Sequence, residues 1–81
     1  MTPAPLGEGL TLRRVRLAPE DVYVLGGILA GEDHLASIHG EGACADGRVV
    51  IAIVTACARA AELDAWLDEL TGPLALERLA P

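Results

Sequence analysis

Residues 49–58 read Val-Val-Ile-Ala-Ile-Val-Thr-Ala-Cys-Ala, the longest apolar run of the chain. Valine and isoleucine dominate this run, and β-branched side chains favour strands over helices. We therefore predict a β-strand from Arg48 to Cys57. Because successive side chains of a strand point to opposite faces, the apolar residues divide into two sets. One face carries Val49, Ile51 and Ile53, and the other carries Val50, Ala52 and Val54.

Two amphipathic helices are predicted, one before this strand in the sequence and one after it. The second covers residues 60–70, where apolar residues recur at helical spacing and acids take the other side. The first begins at Pro19, a residue that suits the first helical position, and ends at Gly31 as a left-handed stop. Its Gly26-Gly27 pair costs about 1 kcal/mol per glycine relative to alanine. Either the helix backbone closely approaches the sheet or another chain there, or the helix simply tolerates both glycines. The apolar stripes are Val22, Leu25, Ile28 and Leu29, then Leu63, Trp66, Leu67 and Leu70.

Three further strands complete the pattern, over Leu10 to Leu17, His34 to His39 and Leu74 to Leu79. A long hairpin connection, residues 40–47, ends in an Asp-Gly turn signal. Residues 1–9 carry two prolines and two glycines, which predicts an N-terminal arm without regular structure before a single domain over residues 10–81. The order β-α-β-β-α-β predicts an α+β, ferredoxin-like fold: a four-stranded antiparallel sheet with two helices on one face.

The apolar strand makes both faces of the sheet apolar, although the two helices can cover only one face. We expect the uncovered face to be an interface or a ligand surface, since exposed apolar area is unfavourable at roughly 25 cal/mol per Å². In this topology the first and third strands are neighbours, so arginines would lie beside the apolar residues. An alternative is that the face is tolerated, with arginine stems over Val50 and Val54 and an ordinary Arg–Glu pair. The predicted site residues are Arg14, Arg16, Val50, Ala52, Val54 and Glu77.

The charge and the size of the chain limit the kinds of partner that we expect. The 81 residues include twelve acids and six arginines, no lysine, and a formal charge of −6. Such an acidic chain is repelled by nucleic acids and by anionic membranes, so neither is expected as a partner. A domain this small is commonly stabilised by disulfides, metals or oligomerisation, and two cysteines make no disulfide framework. We therefore expect a homo-oligomer. Free thiols and an N-terminus without a secretory signal predict the cytoplasm.

No pattern in the chain indicates catalysis or a cofactor. His39, Glu41, Cys44 and Asp46 crowd the predicted hairpin loop, but no CxxC, HxxxH or HExxH spacing is present. Ser37 and His39 share a strand face, which we interpret as parallel side chains rather than a hydrogen-bonded dyad. Cys57, at the end of the apolar strand, is expected to be buried, and Trp66 to belong to the core. Tyr23 lies off the centre of its stripe and is a candidate interface residue. A metal-binding or catalytic loop at residues 39–46 is the least favoured alternative.

From Leu10 to Leu79 the chain resembles the ACT-like branch of ferredoxin-like domains. It is more similar still to small, uncharacterised bacterial proteins with a single domain of that shape. The shared features are the helix entry at Pro19 to Asp21, the helix end at Gly31 and the apolar third strand before an acidic helix. ACT domains bind amino acids at a dimer interface through a glycine-containing loop after the first strand, and here that loop, Ala18-Pro19-Glu20, has no glycine.

Two functional expectations follow. The first is a non-enzymatic interaction or regulatory module that self-associates, as a dimer or larger, through its open sheet face or an edge strand. The second is a sensor in which Arg14 and Arg16 bind a small anionic ligand, such as an amino acid, at a subunit interface.

Overall fold

The computed structural model describes residues 9–80, which form four antiparallel strands and two helices on one face of the sheet. The arm predicted over residues 1–9 thus lies, apart from Gly9, outside the described residues. The elements follow in the predicted order. They are β1 Leu10–Leu17, α1 Pro19–Gly31, β2 Ala36–Ala43, β3 Val49–Ala56, α2 Ala60–Leu70 and β4 Glu77–Leu79, with a 3-10 turn, Cys57–Arg59, before α2.

The strands lie in the order β2-β3-β1-β4, so β3 and β1 form the centre of the sheet. They pair along their whole length, from Leu10 opposite Ala56 to Leu17 opposite Val49. Each helix connects two parallel strands across one intervening strand. Right-handed crossovers of this kind place both helices on the same face. The predicted fold class, α+β and ferredoxin-like, is confirmed.

Leucines on the two helices seal the inner face of the sheet. Fully burying one leucine contributes about 1.5–3 kcal/mol relative to leaving it in water, so this layer is the main source of stability. Trp66 is half-buried against the core, as predicted. The fully buried residues include Leu25 and Leu29 of α1, Leu63 and Leu67 of α2, Val15 and Leu17 of β1, and Ile53 of β3.

The ends of three strands differ from the predictions, and β3 is one residue shorter at each end. β2 begins later and runs to Ala43, because the glycines taken for a loop lie within the strand, where the pairing register shifts between Gly40 and Gly42. A bulge of this kind absorbs one extra residue without ending the strand. The hairpin turn is therefore short: the Cys44 N–H donates to the Arg48 carbonyl at 2.7 Å. Gly47 takes φ +88°, as the Asp-Gly signal predicted. At the other end, β4 comprises only Glu77–Leu79.

The end of α1 also corrects a prediction. Gly31 is its last residue and does not adopt a positive φ; Asp33 (φ 60°) and His34 (φ 52°) do so instead. The Arg59 side chain binds the connection between α1 and β2. Its Nη2 donates to the Glu32 carbonyl at 3.0 Å, and its Nη1 donates to the Asp33 carbonyl at 3.1 Å. An arginine from a distant element thus satisfies carbonyls that a helix end leaves unpaired.

Neither helix of the described chain is long and apolar enough to cross a membrane.

Candidate interaction surface

The face of the sheet away from the helices carries the predicted site residues. The inner-face residues Ile51 and Ile53 are buried in the core, so alternation turns the intervening side chains of β3 outward. The open face is therefore apolar along β3, as predicted, and is flanked by arginines of β1. In the pairing register, Val50 lies opposite Arg16, Ala52 opposite Arg14, and Val54 opposite Leu12.

Arg14 bridges the open face. Its Nε donates to Glu41 Oε1 at 2.7 Å and its Nη2 to Glu41 Oε2 at 3.3 Å. Because Arg14 is on β1 and Glu41 on β2, the arginine stem crosses the central strand β3 between them. Ala52, directly opposite Arg14, is only 3% exposed although no helix covers it. A small residue at this position leaves room for the bridge above it.

Arg16 forms a second ion pair at the other end of the face. Its Nη2 donates to Glu77 Oε1 at 2.6 Å, and Arg48 Nη1 lies 3.6 Å from the same oxygen. The predicted proximity of Glu77 to the arginines is thus present as a contact within one chain. Hydrogen bonds to Glu77 and Glu41 raise the pKa values of Arg16 and Arg14 respectively. Val50, opposite Arg16 in the pairing register, is half-buried at this end of the face.

The opposite end of the face stays apolar. Leu10 is 43% exposed, and Leu12 and Val54 are half-buried beside it. We call these three residues the apolar patch. A shallow depression of about 490 Å³ runs from the patch to Ser37 and His39 on β2. No ion pair in the described chain crosses the patch. Burying it against another surface is what this arrangement favours chemically.

Ser37 and His39 contradict the interpretation of parallel side chains. Ser37 Oγ and His39 Nε2 lie 3.2 Å apart, within hydrogen-bond distance. Both residues are exposed on the edge strand, and in the described chain no carboxylate bonds to the imidazole to orient it. A nucleophilic triad needs that third group.

The residues of the predicted hairpin loop do not converge. Glu41 belongs to β2 and binds Arg14, whereas Asp46 Oδ1 accepts a hydrogen bond from the Arg48 backbone N–H at 3.0 Å. Cys44 is half-buried in the turn. Within residues 9–80, no three His, Cys, Asp or Glu side chains are grouped so as to hold a metal ion.

Cys57 is exposed rather than buried, because β3 ends one residue earlier and Cys57 opens the 3-10 turn. A strand predicted from hydrophobicity alone runs through this boundary. Cys57 and Ala58 continue the apolar run of the sequence but belong to the 3-10 turn rather than to β3.

A second ion-pair network, on the helix side, was missed. Asp64 was expected on the water side of α2. It accepts from Arg13 Nε at 2.9 Å and from Arg78 Nη2 at 2.7 Å, and so ties α2 to β1 and β4. Hydrogen bonding from Arg13 lowers the pKa of Asp64. The signal available in the sequence was Arg13 itself, a charge on the inner face of β1 that required a partner.

Comparison with known proteins adds no relative: no protein-family model, curated protein or solved structure matches this chain. The class that the structure defines is a small α+β domain with ferredoxin-like topology, and the ACT-like resemblance stays a prediction.

Proposed function

We propose that this chain is a non-enzymatic interaction or regulatory module that self-associates through its sheet, acting in the cytoplasm. The apolar patch, Leu10, Leu12 and Val54, carries the proposal. The two arginine bridges cover the other end of the open face and leave this end without cover. All three residues are apolar and at least partly exposed, so contact with a partner would remove apolar area from water.

The expected partner is a second copy of the chain. A contact between patches buries leucine and valine side chains on both sides, with the Arg14–Glu41 and Arg16–Glu77 pairs at its rim. Interfaces of this composition have an apolar centre and a polar periphery. The Arg14–Glu41 pair beside the patch carries no net charge, which lets two acidic chains approach at this face.

Leu12→Glu tests this contact. A carboxylate placed at the centre of the patch is expected to weaken self-association at least tenfold, because it would be buried without a partner. Sedimentation velocity over a concentration series measures the change. Ala61→Glu is the matched control, because it adds the same charge at an exposed position of α2. Equal dissociation constants for the two variants would refute the contact.

A second candidate function, the small-ligand sensor, is favoured by one observation. Arg16 and Arg48 share a single carboxylate, that of Glu77, so this corner of the open face holds an excess positive charge. A small anion such as an amino-acid carboxylate would complete the neutralisation. Thermal shifts with amino acids, nucleotides and carboxylates test this function. A stabilisation that Arg16→Gln abolishes supports it, and no shift with any of them excludes it.

A further inference from the structure

The part of the edge strand β2 before its bulge lacks the usual protection of a sheet edge. The whole strand spans Ala36–Ala43, carries no proline or lysine, and its one charged residue, Glu41, is bound to Arg14 over the sheet. The other edge, β4, pairs over only Glu77–Leu79. Natural sheets shield long edges with charges, prolines or covering segments, because unpaired backbone groups invite another strand.

Two segments at this edge, on either side of Glu32 and Asp33, are also uncharged. Residues 22–31 of α1 and residues 34–40, which contain the first part of β2, include no acid and no arginine. The whole chain carries a net charge of −6, so two copies repel each other over most of their surfaces. These uncharged parts of β2 and α1 are therefore where a second copy approaches most easily.

The glycine pair of α1 has no requirement within its own chain. A Cβ at Gly27 would meet nothing within 4 Å, and one at Gly26 would make an ordinary contact of 3.7 Å with Ile38 Cδ1. Both glycines nevertheless destabilise the helix. The same contact places Gly26 directly over Ile38, which lies in the regular part of β2 before the bulge.

Two exposed residues lie on the same side of Gly26 around α1, one about a turn before it and one about a turn after it. At about 100° per residue, Tyr23 and Ala30 lie about 60° and 40° around the helix from Gly26. Tyr23 is 85% exposed, although tyrosine rings are commonly at least half-buried. Val24, also exposed, lies on the opposite side of the helix, about 160° from Gly26.

We propose that two copies of this chain pair antiparallel along the β2 edges, with a two-fold axis passing Ile38 and the Gly26-Gly27 pair. Strand pairing about Ile38 places Ser37 opposite His39 of the second copy. On the helices the same axis places Gly26 opposite Gly27 and Tyr23 opposite Ala30 of the second copy. The centre of the strand pairing and the crossing point of the two helices lie on the same axis, because Gly26 lies over Ile38 in each chain.

This pairing accounts for the unprotected edge, the glycine pair and the exposure of Tyr23. Glycines at the crossing point let the helix backbones approach, and Tyr23 covers the small Ala30 side chain of the second copy. The edge contact rests on the proposed self-association and adds to it a surface separate from the apolar patch. If both contacts form about different two-fold axes, the closed assembly contains four chains.

Ala30→Glu tests the edge contact directly. The side chain at position 30 is exposed in the single chain, so the variant is expected to fold, while its carboxylate would face Tyr23 of the second copy. We expect half the wild-type mass by light scattering and at least a tenfold weaker association. Val24→Glu, with the same charge on the opposite side of α1, is expected to keep the wild-type mass.

The outcomes separate the two interfaces. An unchanged mass for Ala30→Glu, or equal effects of both glutamates, overturns the edge contact, and loss of association in Leu12→Glu then leaves the proposed function standing. A monomeric wild-type chain overturns both.

Disulfide trapping gives a second readout. In a background with Cys44 and Cys57 replaced by serine, an equimolar mixture of Tyr23→Cys and Ala30→Cys chains is expected to form the mixed disulfide under mild oxidation. The Val24→Cys and Ala30→Cys mixture is expected not to form it, since disulfides need Cα atoms within about 7 Å. Equal yields in the two mixtures would contradict the register.

Discussion

Arginine side chains connect the secondary-structure elements of this domain one to another. Each of the six arginines forms an ion pair with an acid, and five of the seven pairs join a strand to another strand or to a helix. Asp64 accepts hydrogen bonds from both Arg13 and Arg78. Guanidinium groups suit this role, since several N–H donors can bind a carboxylate and a carbonyl at once, as Arg59 does.

Asp64→Asn should lower the free energy of unfolding by about 1 kcal/mol, because two guanidinium groups lose a charged partner at half-exposed positions. Urea denaturation measures this change. Asp68→Asn is the matched control: the Asp68 side chain is 71% exposed and binds Arg78 alone, so its effect should stay within about 0.5 kcal/mol. A loss for Asp68→Asn as large as that for Asp64→Asn would contradict the network.

The same variant has a defined pH dependence. Hydrogen bonding from Arg13 lowers the pKa of Asp64 in the folded state, so its carboxylate stabilises the fold above the unfolded pKa of about 3.9. That contribution is lost as pH falls through the lower, folded pKa. The stability difference between wild type and Asp64→Asn should therefore be constant from pH 5 to 7 and shrink below pH 4. A difference that grows in acid would contradict this sign.

At the scale of elements, β1 and α2 have the predicted bounds, and in α2 the helical spacing of apolar residues is unbroken. The glycines of β2 could not be interpreted in the same way. Gly40 and Gly42 resemble a turn in sequence, and only the pairing with β3 shows that they form a bulge. Sequence alone also could not show that Arg14 crosses β3, because that contact depends on where Glu41 lies in the bulged strand.

The glycines of the two connections should respond oppositely to alanine. Gly31 has no positive φ and no neighbour within 4 Å, so Gly31→Ala should be neutral or stabilising by up to about 1 kcal/mol. Gly47 has φ +88°, so Gly47→Ala should destabilise by about 1 kcal/mol or more. Thermal unfolding of both variants checks the prediction. Strong destabilisation by Gly31→Ala would restore a left-handed end to α1.

For the whole molecule, the main asymmetry is between a covered and an uncovered face of one sheet. The inner face is sealed by leucines of two helices, whereas the outer face has two ion-pair bridges and an apolar patch. That β3 is apolar on both sides was visible in the sequence. How the open face divides, with the Arg14–Glu41 bridge crossing β3 at Ala52 and Leu10 exposed, depends on tertiary contacts between strands far apart in the chain.

The mass of the purified wild-type chain in solution tests the central claim most directly. Sedimentation velocity from about 1 to 100 µM should give at least twice 8.4 kDa, in 1 M NaCl as well as in dilute buffer, because salt does not weaken apolar contacts. A single species of 8.4 kDa across that range would contradict self-association through the sheet.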